Sequence, residues 1–511
     1  MPKTTRFIIS HRRAGHGHKA GMSRVKKSRD NFEASFDKVM ASNVDLLSHN
    51  TNLPEDKRGL KIFDADYLDV NKIKRELSSD TIVERLITRK IQVASPFDAS
   101  LSSVQALGTG KALNFHLKYK GSPVQGISVT ANFSRLGNPE DGSSQSQKTN
   151  INGKVTFEYD DSTWKPYSAT FNPRSEFWPQ LTLSPLEAET IELIKLPKTG
   201  PLNWWQNSVG VHTYDKTLGK GIKVGIVDTG VGPHPYLDHV TSIGSFIDSH
   251  HDSNPRAGLD SGDHGTHVSG IIGARLPDGS NEYTGIVPGA EVFMARVFPK
   301  GRSATQGDIS FAVDTLASEY GVHLINMSLG STEPSRIERD AIEFAMECGT
   351  LCFCAAGNGY GKSVDYPAAY PETVAVSGLG VRNVYPEGTI SSSFYPAQAD
   401  RYSPITPFFL ASYSNIGKQI VCCAPGTGII STVPAYASHK APYLSMDGTS
   451  MASPMATAAL AARLSTQPDY MNLPAGEERF QYAAGLAAAA SSHSLNLLPV
   501  YQGYGLINRL N

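Results

Sequence analysis

DGTSMASPMATAALAARL (447–464) joins a hydroxyl to a run of small residues with an apolar continuation. The composition predicts a helix packed closely on its neighbours, with Ser450 in the first turn. Backbone N–H groups at a helix start favour developing negative charge. Two shorter stretches lie upstream. IKVGIVD (222–228) is an apolar run ending in a carboxylate, and it reads as a buried parallel strand delivering Asp228 at its C-terminal edge. HGTHVSGIIGA (264–274) opens with small residues and continues apolar, as a buried helix beginning at His264. A serine hydroxyl becomes a useful nucleophile only with a base beside it. An imidazole supplies that base near pH 7, and a buried carboxylate fixes its tautomer. The three stretches therefore nominate Asp228, His264 and Ser450 as acid, base and nucleophile. Taken singly, each is as well explained as a strand-end carboxylate or a helix cap.

Further segments join them: NMSLGS (326–331), CAAGNG (354–359), DYPAAYPETVAVSG (365–378), CAPGTGIIST (423–432) and GYGLINRLN (503–511). With VGIVDTGV (224–231) and DHGTHVSGIIGA (263–274), they resemble the subtilisin-like (subtilase) serine proteases over roughly residues 202–511. The order Asp, His, Ser is the one subtilisin uses. The resemblance implies an α/β fold, a mostly parallel sheet flanked by helices, and a serine endopeptidase acting on polypeptides. It implies that Asn358 completes an oxyanion hole with the Ser450 N–H, and that His267 is structural. Ser328, Leu329 and Gly330 would pair with an extended substrate and add it as a strand. Asp365 falls in the segment lining the pocket for the residue before the scissile bond. A carboxylate there would favour Lys or Arg; the alternative is a loop aspartate paired locally. The chemistry requires no cofactor and no catalytic metal. Structural calcium would have to come from surface loops such as PDGSNEY (277–283), with Asp278, Asn281 and Glu282.

Composition narrows the setting. The net charge of −1 argues against a nucleic-acid partner for the whole molecule. No run of 18 apolar residues occurs, so no membrane span is expected. The N-terminus is basic but lacks an apolar core of signal-peptide length, which favours a cytoplasmic location. The five cysteines, Cys348, Cys352, Cys354, Cys422 and Cys423, are odd in number and crowded. They read as buried reduced thiols rather than a disulfide framework or a metal cluster.

The chain divides by character into a basic α+β module (1–95), a β-sandwich module (96–195) and the protease-like region (202–511). Residues 1–95 carry 19 basic and 12 acidic groups, a net of +7, against −8 for the remainder. Residues 10–30 read as a tail. Beyond RFIIS, a helix is expected over 32–47, a strand at GLKIFDADY, a helix at VNKIKREL and one strand at TIVERLITRKIQV. That β-α-β-α-β order is loosely similar to inhibitory subtilase propeptides. In residues 96–195, ALNFHLKY, GISVTANF and KVTFEYD alternate as half-buried strands. Asn152-Gly153 reads as a hairpin turn. The pattern is similar to carboxypeptidase-regulatory or transthyretin-like sandwiches, which act as spacers or dock a protein partner. The intervening module puts self-cleavage at a propeptide junction in doubt. The long segment 381–411 reads as a specificity loop or surface decoration. Two competing functions remain: a processing protease dedicated to one partner, and a binding protein on an inactive subtilase fold. The second would be marked by a lost triad or oxyanion residue.

Overall fold

The structure is a computed structural model. It describes residues 5–15, 30, 32–36, 45–49, 58–96, 102–103, 107–108, 110–183, 189–198, 202–396, 407–435 and 442–510. Its largest sheet has nine strands, in a mixed α/β arrangement. The apolar run Lys223–Asp228 lies at the centre, parallel to Glu291–Arg296 on one side and Leu324–Met327 on the other. Leu351–Ala355, Thr373–Val381 and Ile420–Pro425 continue the parallel order. Central strands of this kind are covered on both faces and so read as unbroken apolar runs. Helices His264–Gly273 and Thr449–Leu464 cross the sheet side by side, and nearly every residue in them is buried. Their small residues permit this. A β-carbon at Gly270 would collide with the Ser431 and Thr432 hydroxyls.

Four strands within the first 85 residues, Asp45–His49, Leu60–Ala65, Thr5–His11 and Thr81–Arg85 in spatial order, form a separate antiparallel sheet. Its outer face carries Phe7, Phe63 and Val83 against Phe32, Phe36 and the helix Tyr67–Glu76. Its inner face sits on the helices Gln306–Ser318 and Arg336–Glu347. Arg58 is fully buried there, 2.9 Å from Asp314 and 2.8 Å from Asp340. Burial alone would lower its pKa, but the two carboxylates outweigh this and raise it. Arg13 reaches Asp314 at 3.2 Å, and the Arg13 and Ala14 N–H groups donate to Asp340. Glu84 accepts the Arg336 and Ile337 N–H groups and caps the second helix.

Three expectations change here. Residues 10–15 are a docked edge and not a tail, because their cations and N–H groups meet buried carboxylates. The rest of the expected tail, 16–29, lies outside the described residues. The helix expected over 32–47 is helical at 32–36; residues 37–44 are outside the described set, and Asp45–His49 is already a strand. TIVERLITRKIQV is two strands. Thr81–Arg85 belongs to the four-stranded sheet, while Thr88–Ile91 leaves it for a different one.

Between residues 102 and 192, a five-stranded and a four-stranded sheet face each other across Phe115, Val129, Phe133, Phe157 and Phe171. Asn152-Gly153 does make a turn, with the Gly153 N–H on the Asn150 carbonyl. It joins strands of opposite sheets, however, so it is not the hairpin expected. This part is docked directly on the nine-stranded part. Trp178 enters the large apolar core, and Leu181 and Pro179 exchange backbone hydrogen bonds with Gly388 and Ile390. The segment 381–411, described at 381–396 and 407–411, is therefore a docking platform. Its Ile390, Phe394 and Phe409 pack with Ala94 and Leu181.

Among the described residues, no helix is long and apolar enough to cross a membrane. All five cysteines are buried, and none is in a disulfide. Burial pushes the Cys348, Cys352 and Cys422 thiols up to about 12. A thiol reagent should therefore leave the native protein unmodified and titrate five thiols after denaturation without reductant. A lower count with a reproducible disulfide-linked peptide would contradict this disulfide-free state.

Candidate active site

Asp228 ends its strand, His264 starts its helix, and Ser450 is the second residue of the helix Thr449–Leu464. The fold joins Asp228 to His264 and packs the helix carrying Ser450 beside the helix carrying His264, and all three residues are buried. His264 Nδ1 lies 2.7 Å from Asp228 Oδ1, so the ring donates there and leaves Nε2 as the acceptor. Nε2 is buried and has no hydrogen-bond partner. The Ser450 hydroxyl does not face it. It donates instead to the Ser328 carbonyl at 3.0 Å, and the Ser328 hydroxyl donates back to the Ser450 carbonyl at 2.8 Å. His267 bonds through Nε2 to the carbonyls of Ile429 and Leu444, and burial pushes its pKa down to about 3. It stays neutral and holds the two helix-flanking strands.

Asp260 is a part of this site that the sequence reading missed. It accepts from the Thr229 hydroxyl at 2.7 Å and from the Thr266 N–H at 2.9 Å. The Thr229 hydroxyl in turn accepts the Gly265 N–H at 2.8 Å. Asp260 thus ties the Asp228 loop to the His264 helix. Its only sequence signal was a third carboxylate close to DHGTH.

Asn358 Oδ1 accepts the Thr449 N–H at 3.0 Å, which turns its amide nitrogen inward. That nitrogen is buried without a partner. Beside it lies the carbonyl of Gln92, which accepts the Ser450 N–H at 3.2 Å. Gln92 belongs to a strand crossing the site. Thr88–Ile91 pairs antiparallel with Ala304–Thr305 on one side and Leu329–Gly330 on the other. The Gln92 N–H donates to Ser328 O, and the Ala94 N–H to Asp447 O. The Gln92 side chain is buried and donates to Asp365 Oδ2 at 3.1 Å. Burial pushes the Asp365 carboxyl up to about 6, against the Gln92 amide and the charges of Arg89 and Lys362. Asp365 is turned inward beside Gly330 and Gly357, and does not turn to solvent.

Residues 219–505, more than half of the chain, match the sequence profile of the Subtilase family. The chain belongs to the subtilase family. It is 33% identical over 295 residues to the minor extracellular protease Epr of Bacillus subtilis, covering 57% of this chain and 38% of that one. It is 31% identical over 258 residues to a thermostable alkaline protease of Halalkalibacterium halodurans, covering 50% of this chain and 60% of that one. Against subtilisin Savinase of Lederbergia lenta it is 30% identical over 255 residues, 50% of this chain and 80% of that one. The chain thus spans less than two thirds of the first two relatives.

In the loop 277–283 of this subtilase, two of the three candidate calcium ligands have protein partners. The Glu282 carboxylate accepts the hydroxyls of Tyr236 and Tyr443, and Asp278 faces Lys216 at 3.6 Å. Among the described residues, no cluster of three or more His, Cys, Asp or Glu is placed to hold a metal.

The packing at His264 can be tested by a single methyl. A β-carbon at Gly265 would collide with the Gly230 carbonyl, whereas one at Gly262 meets nothing within 4 Å. Gly265→Ala should cost about 1–3 kcal/mol in denaturant unfolding, the range for overpacking. Gly262→Ala should stay within about 0.5 kcal/mol. Equal effects would show that the two segments do not meet as closely as described.

Proposed function

We propose that the chain is a serine endopeptidase and that its residues 1–92 occupy and restrain the site until cleaved. His264, oriented by Asp228, takes the proton of Ser450 once the serine hydroxyl turns from Ser328 O to Nε2. The serine oxygen attacks the substrate carbonyl. The Ser450 N–H and the Asn358 amide stabilise the oxyanion, acting on charge that develops in the transition state. The same imidazole protonates the leaving amine and then activates water to release the acyl group.

The observation that carries this reading is the Gln92 carbonyl on the Ser450 N–H, with the strand paired at both edges. It supports Gln92–Val93 as a self-cleavage bond. The module that follows is no obstacle, because the chain passes through the cleft before entering it. We divide the chain accordingly into 1–95, 96–195 and 202–511. The basic face of the first part meets Asp314 and Asp340, which supports the electrostatic share of the restraint. The second part contributes Asn172 and Pro173 to a groove beside His264 and Val93. That supports a role in receiving a protein partner or the leaving half of a substrate. The absence of a disulfide among the five buried cysteines supports a reducing, cytoplasm-like setting; one relative is named extracellular, so the thiols alone carry that part.

Intact-mass analysis tests this. Wild type should convert to two fragments divided after Gln92, while Ser450→Ala stays whole. A fluorophosphonate should label Ser450 and stop peptide hydrolysis. His264→Ala and Ser450→Ala should each abolish most turnover, and the double variant should lose little more. Labelling elsewhere with activity intact would sink the assignment.

Specificity should depend on pH with a defined sign. An ionised Asp365 pairs with a cationic side chain in its pocket, and a protonated one does not. The ratio of kcat/KM for Arg or Lys over Leu before the scissile bond should rise as pH increases through about 6. Asp365→Asn should flatten that ratio. A wild-type ratio independent of pH would exclude the carboxylate from recognition.

A further inference from the structure

The strand through the site buries two side chains. One is Gln92. The other is Arg89, three residues upstream and wholly buried, while Lys90 and Ile91 between them are exposed. Arg89 Nε and Nη2 donate to the two oxygens of Glu338 at 3.0 and 2.7 Å. Its Nη1 donates to the Glu333 carbonyl at 2.7 Å and to the Ser331 hydroxyl. Glu338 is itself 1% exposed and sits in the first turn of the helix Arg336–Glu347. All these acceptors come from residues 331–338, directly after the edge Leu329–Gly330 that pairs the strand. The N-terminal sheet has its own hold on this helix through Glu84. The residues around Arg89 directly follow the edge that pairs the strand.

We infer that Glu338 closes a buried subsite for an arginine three residues before the one that gives the scissile carbonyl. This rests on the peptidase reading above and narrows its substrates. They are polypeptides carrying Arg, two unrestricted residues, then Gln, Lys or Arg at the cleavage point. A buried carboxylate without a cation is strongly unfavourable, and a guanidinium relieves it. The planar fork matches both carboxylate oxygens and leaves further N–H groups for Ser331 and Glu333. An ammonium makes only a point contact there. An apolar side chain leaves Glu338 unpaired. The pocket therefore distinguishes Arg from Lys as well as from Leu.

The test uses the full-length protein after its own cut and the release of residues 1–92, followed by intact mass, and three coumarin peptides, Arg-Lys-Ile-Gln, Lys-Lys-Ile-Gln and Leu-Lys-Ile-Gln. The arginine peptide should have a kcat/KM about 10- to 100-fold above the leucine peptide, the span of a charge-assisted hydrogen-bonded pair. The lysine peptide should fall between them. Glu338→Gln should bring the Arg/Leu ratio toward one. If that variant does not fold, Arg89→Leu with Glu338→Leu leaves no unpaired charge and should reverse the preference toward leucine. Enzyme that takes the fluorophosphonate on Ser450 but hydrolyses the Arg and Leu peptides equally overturns the subsite and leaves the peptidase standing. No label and no hydrolysis of any peptide overturns both.

Discussion

Nothing projects from Gly448, and the site depends on that. Its φ of +145° is open to glycine and strained for other residues. A β-carbon there would meet the Gln92 carbonyl and lie 3.0 Å from the Ala94 nitrogen and 3.1 Å from the Asn358 amide nitrogen. The bare α-carbon lets an extended backbone approach the Ser450 N–H. Immediately behind it, Asp447 is buried and accepts from the Gly428 N–H and the Ser391 hydroxyl, and burial pushes its carboxyl up to about 7. One turn thus has a backbone-accessible side and a side held by hydrogen bonds. The small residues that follow let the helix sit against the sheet, so the turn is supported by a packed core.

What could be read in advance follows from which contacts are local. Asp228, His264 and Ser450 each stand at the end of an element whose composition announces it: an apolar strand, or a helix of small residues. Asn358 sits in a short segment of the same kind. The strand in the cleft was not legible. TIVERLITRKIQV alternates well enough to pass for one strand, and no residue within it marks the break at Leu86–Ile87. Its partners at 304–305, 329–330 and 447 lie more than 200 residues away in sequence. Only tertiary docking selects them. Asp365 was ambiguous for a related reason, because the direction of a loop carboxylate depends on what fills the space before it. Here Gln92 does.

Charge shows the same limit. The excess of cations in residues 1–95 is plain from composition, but it is not a diffuse attraction. Arg13 and Arg58 are buried against Asp314 and Asp340. Buried pairs of this kind contribute little net stability, yet removing one partner is costly, about 3–5 kcal/mol. Their consequence is fixed registry. They hold the four-stranded sheet at one place on two helices, and the chain leaves that sheet at Arg85 aimed at the edge Leu329–Gly330.

Registry and recognition then follow from one another. The same helix, Arg336–Glu347, gives its N-terminus to Glu84, Asp340 to Arg58 and Arg13, and Glu338 to Arg89. The first two contacts belong to the sheet, and the third to the strand in the cleft. A cut after Gln92 would leave Arg89 and the sheet on one fragment, so all three would be broken by the same departure. Three buried acids, Glu338, Asp314 and Asp340, would then lose their cations. A substrate can satisfy Glu338 by presenting one arginine, but it cannot restore Asp314 and Asp340, which lie under the sheet and away from the strand. The N-terminal fragment therefore holds its place by a surface that no substrate shares. On the proposed restraint, the cleft would hold only the strand, and the sheet would set how long the strand stays.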